Sequence, residues 1–364
     1  MKNVYGNALT LTLFGESHGA AVGAVLDGLA PGIPVDEAVI ARELTRRRPA
    51  DATATARREP DNFAIESGVF GGFTTGTPLC ILIPNTEQHS ADYSGVVGRA
   101  RPAHCDYPAH CKYRGFEDYR GGGHFSGRLT AALVAAGAVV GEALRRKNII
   151  IGTHLLRCAG VGDRAFDFSR IGDELAALRV AAHPTLSDEA WEHMREAILR
   201  AGAEGDSVGG VAETVVTGLE AGLGEPWFDT VESLLSHGLF SVPAVKGVEF
   251  GDGFALADMR GSEANDPYRV ENGKITTRTN RMGGIGGGIT NGMPLIFRCA
   301  IKPTPSISRE QETVDFVRGE NVSLRVRGRH DPCIAPRACP VIDAVTALTV
   351  ADIMVMHVGT DALA

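Results

Sequence analysis

Asp118-Tyr119-Arg120-Gly121-Gly122-Gly123-His124-Phe125-Ser126-Gly127-Arg128 leads straight into a long apolar segment, Leu129 to Leu144. That segment is rich in Ala, Leu and Val on every face until Glu142, which predicts a buried helix. Ser126 is placed to cap it. Three glycines before a cap let backbone N–H groups approach a ligand, and a helix N-terminus favours an anion. Arg101, Arg114 and Arg120 crowd the same region as Arg128, and His104 and His110 join His124. A cationic, glycine-lined cup before a buried helix points to a phosphorylated or otherwise anionic ligand. A simple turn with a solvated face is the competing explanation for this stretch alone.

Gly122-x4-Gly127-Arg128-Leu129 comes close to a P-loop, but that motif needs Lys for the terminal phosphates and Ser or Thr for magnesium. Arg128 and Leu129 stand in those places, so an NTPase is excluded. Gly15-Glu16-Ser17-His18-Gly19 has the spacing of a serine hydrolase's nucleophile elbow. The elbow must lead into a helix, whereas Ala20 to Leu29 carries Gly23 and Gly28 and reads as a second strand after Asn7 to Phe14. Gly283-Gly284-Ile285-Gly286-Gly287-Gly288 lacks the strand–helix setting of a dinucleotide fingerprint.

The chain of 364 residues has a net charge of −8, which argues against general nucleic-acid binding. Seven scattered cysteines, an odd number, point to reduced thiols in a cytoplasm, and their spacing matches no zinc knuckle; all seven are expected to be buried or incidental, with no metal. No signal peptide is expected at the N-terminus, and no membrane span. Without a linker or a compositional break, residues 1–364 read as a single domain.

Further along, Asp36 can cap a helix with the stripe Val39, Ile40 and Leu44, ending in Arg46-Arg47-Arg48 before Pro49. Strands are expected over 63–70, 78–83, 149–161, 211–219, 245–250 and 294–301. Helices are expected around 173–181, 187–201, 228–240 and 341–356, with 252–281 polar and irregular.

Six segments, in order, resemble the motifs of chorismate synthases: Phe14 to Gly19, Arg101-Pro102-Ala103-His104-Cys105-Asp106-Tyr107, Asp118 to Gly123, Gly205-Asp206-Ser207-Val208-Gly209-Gly210, Lys302-Pro303-Thr304 and Gly328-Arg329-His330-Asp331-Pro332-Cys333. The resemblance covers nearly the whole chain. It implies a mixed α/β (α+β) fold, a large β-α-β sandwich, assembled as a homotetramer. It implies a carbon–oxygen lyase of the shikimate pathway. The reaction is the anti 1,4-elimination of phosphate from 5-enolpyruvylshikimate 3-phosphate to give chorismate, on reduced FMN with no net redox change. By resemblance, His18 protonates the leaving phosphate, His104 gives a proton to the flavin, and Asp331 assists proton removal. Flavin contacts fall on His124, Phe125 and Ser126, on Glu263, Ala264 and Gly287, on Lys302, Pro303, Thr304, Pro305 and Ser306, and on Arg329. A substrate with one phosphate and two carboxylates accounts for Arg47, Arg48, Arg101, Arg128 and Arg329.

Two departures from the family pattern stand out. Many members carry Arg-Ser-Ser after the glycine triplet, where this chain has His124-Phe125-Ser126. Many carry a glycine and a further arginine after Arg-Pro, where this chain has Ala50-Asp51-Ala52-Thr53-Ala54-Thr55-Ala56. That loop has no cation and adds a carboxylate that would repel a nucleotide phosphate, so reduction of FMN by NADPH on this chain is not expected and an external flavin reductase is; whether NADP binds beside Arg47 stays open. A flavin oxidoreductase acting on a phosphorylated substrate is the main rival; a non-enzymatic anion-binding protein is a weaker one.

Overall fold

The computed structural model describes residues 2–49, 52–54, 59–86, 97–326 and 330–364. Two five-stranded antiparallel sheets enclose a layer of helices. The first sheet runs in the order Val4–Tyr5, Thr10–Gly15, Ala21–Asp27, Leu79–Pro84, Ala64–Ser67. The second runs Val245–Phe250, Leu295–Ile301, Gly210–Thr217, Ile150–Cys158, Val161–Gly162. Helix α3, Thr130–Arg146, packs on the first sheet, and the C-terminal helix, Ala335–Val358, packs on the second and on α3. This is the expected β-α-β sandwich.

The buried helix forms where the sequence places it, and nearly every residue from Thr130 to Leu144 is buried. Gly137 explains how two such helices share one layer. A Cβ there would stand 2.4 Å from the Cβ of Ala344, so only glycine permits the approach. Both helices are long and apolar enough to cross a membrane, but 89% and 72% of their apolar windows lie inside the protein. They are apolar all round because protein surrounds them.

Helix α1, Glu37–Arg47, is capped as expected: the Asp36 carboxylate accepts from the Ala38 N–H at 2.9 Å. Its stripe Val39, Ile40 and Leu44 is buried, and it ends before Pro49.

Several boundaries differ. The C-terminal helix starts at Ala335, not at Val341, because Pro336 falls in its first turn, where no N–H is needed, and Pro340 is accommodated inside. The expected helix over 228–240 is Val231–Leu239, with Phe228 exposed ahead of it. A helix not foreseen, α2, spans Asp106–Tyr113. The stretch 252–281 contains a hairpin, Tyr268–Glu271 with Lys274–Thr277. Its turn is Asn272-Gly273, both at positive φ (50° and 77°), which is the usual signal for a two-residue hairpin. A second unforeseen hairpin pairs Gln311–Asp315 with Glu320–Leu324. The cysteines are all free thiols. Cys158, Cys299, Cys333 and Cys339 are buried, but Cys111 is exposed and Cys105 lines a large cavity, so not all seven are hidden.

Candidate active site

The glycine triplet forms a tight turn between α2 and α3, with φ of 59°, 82° and 54° at Gly121, Gly122 and Gly123. Gly123 O accepts from the Ser17 N–H at 3.1 Å, which ties this turn to the loop after the first sheet's second strand. A Cβ on Gly121 would lie 2.5 Å from the His18 imidazole. The glycines therefore serve both a left-handed backbone and a close approach to histidine. Ser126 Oγ accepts from the Arg128 N–H and caps the short turn that leads into α3. Ser17 is fully buried and a strand follows it, so the serine-hydrolase geometry is absent.

Around this turn opens a cavity of about 1110 Å³. Its wall includes His18, Arg101, His104 and Gly121, then His124, Phe125 and Ser126, and across from them Lys302, Thr304, Pro305, Ser306 and Asp331. Residues from five distant stretches of sequence thus meet, while none of Gly205 to Gly210 is among the residues lining this cavity. The wall also takes in His330, from the same motif as Asp331, and Lys2, His237 and Lys246, which were not among the expected site residues. Lys302 is held below its ordinary pKa by burial and then by repulsion from Lys246, so the two cations are neighbours.

His104 is oriented from behind. Its Nδ1 lies 3.0 Å from Asp106 Oδ1, and Arg101 grips the same carboxylate through Nε at 2.8 Å and Nη2 at 2.7 Å. Burial alone would push the Asp106 carboxyl up; the hydrogen bonds from Arg101 and His104 and their charges outweigh it and hold the carboxyl well below the usual range. Nδ1 thus faces both the Asp106 carboxylate and, at 3.1 Å, Nη2 of Arg101, while Nε2 lies beside Gly122. His104, Cys105 and Asp106 place three ligand-type atoms within 4.8 Å of one another, but the guanidinium of Arg101 already occupies the carboxylate. His124 is tied through Nδ1 to Gly15 O at 2.9 Å.

The remaining cations of the expected cup turn elsewhere. Arg120 pairs with Asp118 at 2.8 Å, His110 lies 3.2 Å from Glu117, and Arg114 is exposed at the end of α2. Arg47, Arg48 and Arg128 line a separate chamber of about 260 Å³, which shares Ser126, Gly127, Thr130 and Asp331 with the large cavity. There Asp61, whose side chain is fully buried, bridges Arg47 at 2.8 Å and Arg128. Burial would raise the Asp61 carboxyl, and the two guanidiniums hold it below its ordinary pKa instead. Arg128 also donates to Asn85 Oδ1 and Pro84 O and pairs with Glu59 at 2.6 Å, so most of its donors are used within the protein. Arg47 Nε and Arg48 Nε have no hydrogen-bond partner among the described residues. Glu263 and Ala264 belong to a single helical turn, Gly261–Ala264, and neither they, Gly287 nor Pro303 are among the residues that line the large cavity. Arg329, and Ala50, Asp51, Thr55 and Ala56 of the loop after Pro49, lie outside the described residues.

The chain matches the chorismate synthase family model over residues 9–355. It is 49% identical over 348 residues to a chorismate synthase of Thermococcus gammatolerans, covering 95% of this chain and 96% of that one. It is 46% identical over 357 residues to a chorismate synthase of Archaeoglobus fulgidus, covering 98% of each. A solved structure titled "Crystal Structure of Chorismate Synthase" superposes with a TM-score of 0.77 at 27% identity, over 97% of this chain and 94% of that one. A family match of this length, on a sandwich of the same architecture, places the chain in the chorismate synthase family.

Proposed function

We propose that the large cavity is where this chain carries out the family's reaction, the anti 1,4-elimination of phosphate from 5-enolpyruvylshikimate 3-phosphate over reduced FMN. The observation that carries this reading is the convergence of His18, His104 and Asp331 on one wall, from three distant parts of the chain. The cavity is larger than the roughly 300–1,000 Å³ usual for one small ligand, so a flavin and a substrate fit together. Its donors suit anions: Lys302 and Lys246 are neighbouring cations, and the glycine turn brings backbone close to the cavity.

Bound here, reduced FMN would supply the electron-rich ring that lets the elimination proceed without net redox change. The protein's share is acid–base and electrostatic. His18 protonates the departing phosphate, from a buried position against Gly121. His104, fixed through Nδ1, handles a proton at Nε2. Asp331 accepts a proton at its carboxylate. Arg101, Arg47 and Arg48 neutralise the substrate's carboxylates and phosphate. Arg128 and Arg329 complete the proposed substrate set, Arg128 by holding Asp61 beside Arg47.

Phe125 and Ser126 and the run from Lys302 to Ser306 are proposed to hold the flavin, together with His124 and Arg329. The proposed flavin contacts Glu263, Ala264 and Gly287 would reach it from a neighbouring copy in a homotetramer. The exposed Trp227, Phe228 and Phe254 are apolar surface that assembly would cover. We further propose a single domain, a cytoplasmic location and an external flavin reductase. The deciding experiment is anaerobic incubation with reduced FMN and the enolpyruvyl substrate. Chorismate and phosphate should appear in equal amounts with no reductant consumed. Stoichiometric consumption of reductant would replace elimination with net hydride transfer.

A further inference from the structure

Arg337 stands in the first turn of the C-terminal helix, behind Asp331. Its Nη1 donates to both carboxylate oxygens of Asp331, at 2.9 and 3.0 Å. Its Nε donates to the backbone carbonyl of Arg47, at 2.9 Å. That carbonyl ends α1, where helical carbonyls lack intrahelical partners and the helix dipole favours a cation. Arg47 is itself anchored by its side chain to the buried Asp61. Arg337 is thus a strut: one side of its guanidinium is fixed to the end of α1, the other holds a carboxylate.

The strut approaches Asp331 from the small chamber. Asp331 lines both the large cavity and the small chamber, whereas Arg337 lines only the small chamber. His330 and Asp331 themselves lie outside any helix or strand, and Pro332 follows them.

We propose that Arg337 is a positioning residue for the elimination, holding the Asp331 carboxylate aimed into the large cavity. The proposal rests on the reading of Asp331 as a proton-accepting group. Lysine cannot reproduce the role in full, because a single ammonium lacks the planar fork that reaches Asp331 and the Arg47 carbonyl at once.

The test uses the full-length protein with reduced FMN and substrate under anaerobic conditions, comparing Arg337→Ala, Arg337→Lys, Asp331→Asn and Arg337→Ala/Asp331→Asn. Misplacing a reacting group by about 1 Å costs roughly 10²-fold, so Arg337→Ala should lower kcat by about that factor while substrate KM and flavin affinity stay near those of the parent. Arg337→Lys should recover part of the loss. The double variant should be no slower than Asp331→Asn alone, because two residues acting through one carboxylate do not add. Equal losses in kcat and flavin affinity, or losses that add in the double variant, would overturn the proposal and leave Arg337 a tie between two helices. If Arg337→Ala does not fold, Arg337→Lys with and without Asp331→Asn answers the same question by the same additivity. Asp331→Asn with full turnover would instead overturn the reading of Asp331 itself, a result distinguishable from the first.

Discussion

Asp106 Oδ1 stands 3.0 Å from Nδ1 of His104, and the pair is locked by Arg101 gripping both oxygens of the same carboxylate. Three residues of one motif therefore form a unit in which the acid fixes the histidine and the arginine fixes the acid. Asp106→Asn keeps the shape but loses the charge and can present its N–H to the ring, which favours the wrong tautomer. Turnover should fall toward the ~10²–10⁴ that general acid–base catalysis contributes, with FMN affinity little changed. Steady-state kinetics beside a flavin titration check this; unchanged turnover would mean the dyad is only structural.

His18→Ala and His104→Ala should each lower turnover by roughly 10²–10⁴ while flavin binding survives. Both side chains line the cavity and neither belongs to the apolar core, so folding should be retained. Single-turnover measurements of chorismate formation separate the two roles. Near-normal rates in both variants would reduce them to turn residues.

Asp61→Asn should destabilise the fold by about 3–5 kcal/mol, the usual cost of removing one partner from a buried ion pair. The carboxylate sits between Arg47 and Arg128; without its charge Arg47 would be left a buried cation, and Arg128 would keep Glu59 as its carboxylate partner. Because the folded pKa is depressed, the contribution is complete above the unfolded value of about 3.9 and is lost as pH falls through the lower folded value. Denaturant melts at pH 7 and near pH 3 should show the variant's deficit shrinking in acid.

His154 gives the opposite pH dependence. It is buried between Asp163 and Glu213, each 3.3 Å away, with Arg298 pairing Glu213 at 2.7 Å and Glu249 at 3.5 Å. Burial would lower its pKa, but the two carboxylates raise it above the ordinary value. The stabilisation is therefore complete below about pH 6.5, the unfolded value, and is lost as pH rises through the folded one. Melting temperature should fall across that range in the parent and run flatter in His154→Gln. An identical slope in both proteins would remove His154 as the cause.

NADPH alone should not sustain turnover. The loop after Pro49 offers no cation in Ala50 to Ala56 and adds Asp51, while Arg47 is drawn to Asp61. Anaerobic oxidation of NADPH, with FMN and substrate but no added reductase, measures this directly. Continued chorismate formation under those conditions would show that the chain reduces its own flavin.

Much of the fold was legible in the chain because its signals are local. The apolar run from Leu129 to Leu144, the Asp36 cap and the alternation of Leu9, Leu11 and Leu13 each act over a turn or a strand. The Asn272-Gly273 hairpin was equally local but lay in a polar stretch, where weak alternation hid the strands. The motifs named His18, His104 and Asp331 as site residues by resemblance. Sequence could not say which arginines face a ligand. Arg101, Arg120 and Arg128 look alike in the chain, yet one lines the large cavity, one pairs with Asp118, and one is consumed by Glu59, Asp61 and Asn85. An arginine's role depends on which carboxylate reaches it first, and those partners arrive from remote segments. Arg337 carries no signal of its own either. Only the packing of the C-terminal helix against the end of α1 brings it to Asp331 and to the Arg47 carbonyl at once.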